Sequence, residues 1–190
     1  MLNFINKLKS YAINGTVVSA VVMASLAATA AQAATQGTLG ATSTGTVTIT
    51  ASVPNRARIT GLSDVAFTSQ DPNTAASNAQ SVCVWSNTAT KGYTVTATGS
   101  GATNAFTLAN GALTVPYSVQ WNALTGQTTG TALATGTASA GLVSTATQQT
   151  CSTGPTTTSS LVVGISTTDL GTMQSATTYT GTLTLVVTPQ

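Results

Sequence analysis

Residues 39–53 read LGATSTGTVTITASV, and the alternation within them decides what kind of β protein this is. Leu39, Ala41, Ser43, Gly45, Val47, Ile49, Ala51 and Val53 occupy every second position, so in an extended chain they share one face, while the opposite face is mostly Thr and Ser. One side of the segment is built to be buried. If it enters the core of its own domain, the protein is an ordinary β-sandwich. If it enters a neighbouring molecule, the protein is a fibre subunit.

Upstream of the strip, residues 1–33 have the order of a secretory signal. Lys7 and Lys9 form a basic start, an apolar run follows around Thr16 to Ala28, and Ala31-Gln32-Ala33 is a small-residue cleavage site, so the mature chain is expected to begin at Ala34. The same run could serve as a membrane anchor, but Ser19, Ser25 and Thr29 interrupt it and no basic stop-transfer pattern follows. No membrane span is expected after cleavage. The expected organisation is a signal peptide over 1–33, an N-terminal extension over 34–53, and one β domain over 54–190.

With the leader removed, Arg56, Arg58 and Lys91 face Asp64, Asp71 and Asp169, and the side-chain charges cancel. Nucleic acid and acidic membranes are poor partners for such a chain, because binding them needs clustered Lys and Arg. The pair Arg56 and Arg58 fits a solvated turn. About one residue in five is Thr, and Glu and His do not occur, a composition that favours strands over solvent-facing helices. Low charge also leaves long strands poorly protected against edge-to-edge association, and a protein meant to polymerise needs no such protection.

The two cysteines, Cys83 and Cys151, lie in the exported part, where one disulfide is the natural reading. For a loop of this length the chain-entropy model gives a stabilisation of about 4 kcal/mol. A metal site would need His or further Cys, and a catalytic thiol would need a base.

Further along, Arg58 to Leu62 and Val65 to Ser69 read as a broken strand, Asp71-Pro72-Asn73 as a turn, and residues 74–80 as loop. Ser81 to Ser86 places Cys83 and Trp85 on one face and Val82 and Val84 on the other, as in a strand buried on both sides. Tyr93, Val95 and Ala97 align in the next strand. After Gly99-Ser100-Gly101 comes a strand over Ala105 to Leu108, and Asn110-Gly111 reads as the centre of a type I′ hairpin turn. Leu113, Val115, Tyr117, Val119 and Trp121 then share a face, with Pro116 implying an edge or bulge.

Residues 122–159 show little alternation and are expected to form loops with one or two short strands. Leu161, Val163 and Ile165 form another strand, and Tyr179, Gly181, Leu183, Leu185 and Val187 a last one. Seven or eight short strands without helical periodicity indicate an all-β, antiparallel β-sandwich.

The inventory is poor in chemistry. There is no His or Glu for proton transfer near neutral pH, and no phosphate loop, dinucleotide fingerprint, nucleophile elbow or zinc spacing, so no catalytic residue, cofactor or metal ligand is assigned. Asp64 and Asp71 sit in turns. Calcium at Asp71 and Asn73 would rest on a single carboxylate. Trp85, Tyr93, Tyr117 and Trp121 could form a sugar-stacking platform, although their place in alternating strands suits core packing better.

Taken together, the chain resembles subunits of chaperone-usher pili, most of all the archaic group with spore-coat-U-like domains and the colonisation-factor-type pilins. The resemblance lies in Thr46-Val47-Thr48-Ile49-Thr50-Ala51-Ser52-Val53, similar to a donor strand, in Tyr179 to Val187, similar to the closing strand, and in the leader. The middle is similar in composition and strand count only.

The resemblance implies an incomplete immunoglobulin-like fold, completed by donor-strand exchange with identical or related subunits. Leu39, Ala41, Gly45, Val47, Ile49, Ala51 and Val53 would be the donor side. Tyr179, Gly181, Leu183, Leu185 and Val187 would border the receiving groove. It further implies a periplasmic chaperone, an outer-membrane usher, and a cell-surface pilus serving adhesion or biofilm. The alternative is a self-complete secreted β-sandwich, acting as a matrix or coat protein or as a carbohydrate-binding module.

Overall fold

The computed structural model describes residues 33–190, so the leader expected over 1–33 lies, but for Ala33, outside the described residues. The chain divides into one unit ending at Ala51 and a second over Ser52–Gln190. The second unit contains β1 (Ala57–Thr60), β2 (Ala76–Ser86), β3 (Gly92–Gly99), β4 (Thr107–Asn110), β5 (Leu113–Pro116), β6 (Ser118–Asn122), β7 (Thr131–Ala132), β8 (Leu142–Val143), β9 (Ser159–Ile165), a one-turn helix α1 (Thr167–Leu170) and β10 (Leu183–Pro189).

Two antiparallel sheets make the all-β sandwich. One has the order β1-β2-β9-β6-β7 and the other β10-β3-β8, with β4 and β5 as a separate hairpin. Numbered by chain order, β1-β2-β9-β6 repeats the A-B-E-D sheet of an immunoglobulin-like fold, and β10-β3 repeats its F-C pair. Within Ser52–Gln190 no strand pairs with the outer edge of β10, the position that strand G takes in that fold.

The core forms where the inner faces meet. Val82 and Val84 of β2, Tyr93, Val95 and Ala97 of β3, Val119 and Trp121 of β6, and Leu161, Val163 and Ile165 of β9 are all buried in one cluster. A polar link crosses between the sheets inside it: Tyr93 Oη and Ser159 Oγ are 2.9 Å apart, and Trp121 Nε1 donates to Tyr93 Oη at 3.3 Å. Each buried polar group of this link therefore has a partner, which removes the penalty of burying it.

The two-faced reading of residues 81–86 holds. Val82 and Val84 enter the main core, whereas Cys83 packs on the other side with Ala146, Cys151 and the half-buried Trp85. The Cys83–Cys151 disulfide is formed and closes a span of 68 residues. Beside it Ser144 Oγ donates to Val84 O and accepts from Ala146 N at 3.0 Å, so the 144–151 segment is tied to β2 by polar as well as covalent bonds. Residues 122–159 otherwise run as loops with two strands of two residues each, as expected.

Four local expectations are corrected. Residues 74–80 are not a loop: from Ala76 onward they form the first half of β2, in register with β9 from Ala76↔Ile165 to Gln80↔Leu161. Small polar residues suffice there because the ladder supplies the pairing and only Ala76 must be buried. Val65 to Ser69 is no strand. Just before it the Gln80 side chain accepts from Ser63 N at 2.8 Å and donates to Ser63 O at 3.1 Å, and Phe67 within it packs against the core.

The hairpin turn is shifted by one residue, since Asn110 pairs with Leu113 and leaves Gly111-Ala112 as the central pair. Gly111 has φ +59° and Ala112 has no positive φ, the pattern of a type II′ turn. Asn110 instead uses its side chain, donating to Thr178 O at 2.7 Å. Finally, the long strand over 113–121 breaks at Tyr117. Pro116 ends β5, and β6 continues in the large sheet, so the proline marks the place where the chain changes sheets.

Candidate functional site

Among residues 52–190 the unusual surface is the outer edge of β10. Its alternation is carried by Leu183, Leu185 and Val187, and the register Leu183↔Gly99, Leu185↔Ala97, Val187↔Val95 sets them beside the inward residues of β3. Tyr93, Val95 and Ala97 on β3 are 0% exposed, but Leu183, Leu185 and Val187 are only half-buried. The difference is one of neighbours, because the far side of β3 is covered by β8 at Gly92 and Tyr93 and by the 135–139 segment beyond, whereas β10 has a neighbour on one side only. Thr184, Val186 and Thr188 point outward and are exposed.

β1, at the end of the other sheet, lies close to β10, and its Ile59 is likewise half-buried against the core. Two edge strands thus meet along one side of the sandwich, each with apolar side chains incompletely covered. In an antiparallel strand alternate residues direct N–H and C=O to opposite sides, so the outward set on β10 has no ladder partner within this unit. Chemically such an edge can accept one more strand: backbone hydrogen bonds along it, and small apolar side chains over the half-covered face.

Two residues expected at this edge have other duties. Tyr179 is buried, and its Oη accepts from Gln174 N at 3.2 Å, which fastens the loop after α1. Gly181 is not in β10. It lies where the chain crosses β4, and a Cβ there would come within 2.8 Å of Thr107 O and 3.1 Å of Leu108 Cδ2. Just before it, Thr180 and Ala109 exchange backbone hydrogen bonds of 2.8 and 2.9 Å. The edge therefore consists of Leu183, Leu185 and Val187, with Ile59 as a residue that sequence reading did not single out. Its signal was weak because β1 offers only one apolar side chain larger than Ala.

The first unit is described by itself. The expected strand from Leu39 does not form: the chain bends at residues 39–42, and among the described residues of this unit the single pairing is the bridge Thr35↔Thr46. Leu39 is 105% exposed, Val47 74%, Ile49 88%, and Ala41, Gly45 and Ala51 are exposed too. Val53, just inside the second unit, is also exposed. The eight residues cannot share one face while the chain bends, because a common face requires continuous extension.

Other candidate chemistry resolves into structure. Asp71 Oδ1 accepts from Asn73 N at 2.9 Å, an Asx turn. Asp169 opens α1 together with Ser166, whose Oγ accepts from Asp169 N at 3.1 Å. Among the described residues no three His, Cys, Asp or Glu side chains converge. Tyr93, Tyr117 and Trp121 are core residues and Trp85 packs on the disulfide, so the four aromatics form no sugar platform. Burial pushes the Tyr117 phenol above its ordinary range. A cavity of about 460 Å³ beside Trp121, lined by Asn122, Gly130, Leu133, Ser139 and Leu142, contains no titratable side chain.

In comparisons with known proteins, no family model and no curated protein sequence matches this chain.

Proposed function

We propose that this chain is a structural subunit of an extracellular pilus or fibre, which polymerises when the N-terminal strip of one copy adds a strand to the β10 edge of the next. The observation that carries the reading is the unpaired outer edge of β10 above half-buried Leu183, Leu185 and Val187. The same chain holds an exposed segment of matching periodicity, with Val47, Ile49, Ala51 and Val53 as the side chains to be covered. Backbone pairing gives such a joint its affinity and alternate side chains give it register. The subunit is no enzyme and takes no cofactor.

On this reading the chain is exported through the periplasm, where a chaperone shields the edge and an outer-membrane usher directs exchange. The assembled fibre serves adhesion or biofilm formation. The test uses the exported chain carrying Ile49→Asp, whose own strip cannot enter an apolar face. A synthetic peptide of residues 39–53 should bind it and raise its Tm by well over 10 °C, while the unmodified chain forms polymers. An unmodified chain that stays monomeric, together with a variant indifferent to the peptide, contradicts the proposal.

A further inference from the structure

Thr35 and Thr46 exchange both backbone hydrogen bonds: Thr35 N donates to Thr46 O at 3.0 Å, and Thr46 N donates to Thr35 O at 2.9 Å. Such a reciprocal pair is the unit of an antiparallel ladder, and here it closes residues 36–45 into a loop. Two glycines permit the closure. A Cβ on Gly37 would overlap Ser43 Oγ and stand 3.2 Å from the backbone of Thr44, and one on Gly45 would stand 3.0 Å from Thr35 O. Gly45 is thus explained by the approach of Thr35 in this unit.

From this geometry we infer that the arm at Thr35–Gly37 is a guard on the donor strip, holding it partly closed in cis until a neighbour's edge displaces it. This regulation rests on the fibre-subunit reading. A strand residue sends its N–H and C=O to the same side, so Thr46 spends both on Thr35, on the side shared by Thr48 and Thr50. While the bridge holds, residues 39–45 are rolled into the loop and cannot extend along another edge. Among the described residues of the strip, 47–53 make no backbone pairing.

The guard hides backbone, not side chains, since Leu39, Val47 and Ile49 stay exposed. It therefore slows indiscriminate edge-to-edge pairing without lowering the apolar attraction of the strip for a fitting face. Two backbone hydrogen bonds are a barrier that a matching ladder of several bonds readily displaces.

Thr35→Pro removes one donor of the bridge and alters none of the eight alternating side chains. Followed by light scattering at equal concentration of the exported chain, this variant should assemble several-fold, up to about tenfold, faster than the unmodified protein, the effect of losing one modest hydrogen bond of the bridge. The final amount of polymer should be the same. Gly37→Val, whose side chain would displace Ser43 Oγ and crowd the Thr44 backbone, should accelerate assembly in the same direction.

In the Ile49→Asp chain, which stays monomeric, the Thr46 amide should exchange with solvent about tenfold more slowly than a free amide, and Thr35→Pro, which keeps the acceptor Thr35 O but removes the companion bond, should reduce that protection. Assembly at the unmodified rate in both variants, or an unprotected Thr46 amide, overturns the guard alone. Failure of every chain to assemble overturns the fibre reading, and the guard with it.

Discussion

Leu183, Leu185 and Val187 in β10 and Val47, Ile49, Ala51 and Val53 near the N-terminus follow the same period of two, with Thr common at the positions between. β10 runs in register with β3 from Leu183↔Gly99 to Pro189↔Tyr93, and its apolar face is half-buried. Among the described residues the N-terminal strip makes one bridge, and its apolar side chains are exposed. Alternation thus specifies a face to be buried, while the presence of a ladder partner decides whether the segment becomes a strand. β10 has its partner on one side only. The N-terminal strip has, on the proposed reading, its partner in another copy.

The sharpest way to break this comparison is a charge on the N-terminal strip. Ile49→Asp should abolish polymer formation, by at least two orders of magnitude in sedimentable material, because a buried unpaired carboxylate costs several kcal/mol. It should leave the Tm of the monomer unchanged. A normal yield of polymer would mean the strip is not the connector.

Next in size is the disulfide. Cys83→Ser should destabilise the sandwich by about 2–5 kcal/mol in denaturant unfolding, as loss of a native bridge in a small exported domain does. The affinity for peptide 39–53 should change little among molecules that remain folded. The two edges of burial can then be compared directly. Leu161→Ala, within the core, should cost about 2–5 kcal/mol, whereas Leu185→Ala, half-covered, should cost the monomer about half as much. In the assembled state the order should narrow, since assembly covers Leu185.

Tyr93→Phe removes the hydroxyl shared by Ser159 and Trp121 and should cost about 1–3 kcal/mol, with no effect on assembly. The smallest change is Val186→Thr, on the outward face of β10, which should lie within about 0.5 kcal/mol by unfolding and leave assembly intact.

The all-β class, the two-faced segment around Cys83 and the disulfide were legible because each has a local signal: period two, alternate apolar sides, and a lone cysteine pair in a chain expected to be exported. Residues 76–80 were not, since a strand of Ala, Ser, Asn and Gln carries no hydrophobic alternation and is fixed by β9. The hairpin at Asn110-Gly111 was legible as a turn but not in register, which the pairing Asn110↔Leu113 sets. At the edge itself, Leu183, Leu185 and Val187 were readable from periodicity. The fate of Tyr179 and Gly181 was not, because it depends on contacts with Gln174 and β4 that are distant or irregular in sequence.

Whether strip and edge join between copies can be read from fibres grown from an equal mixture of two differently isotope-labelled preparations of the chain from Ala34 onward, by solid-state NMR contacts between Ile49 or Val47 and Leu183, Leu185 or Val187. Contacts between the two labels, at the frequency of random mixing, are the expected result. Contacts confined to residues of one label would place the strip in its own copy's sandwich and contradict strand exchange between subunits.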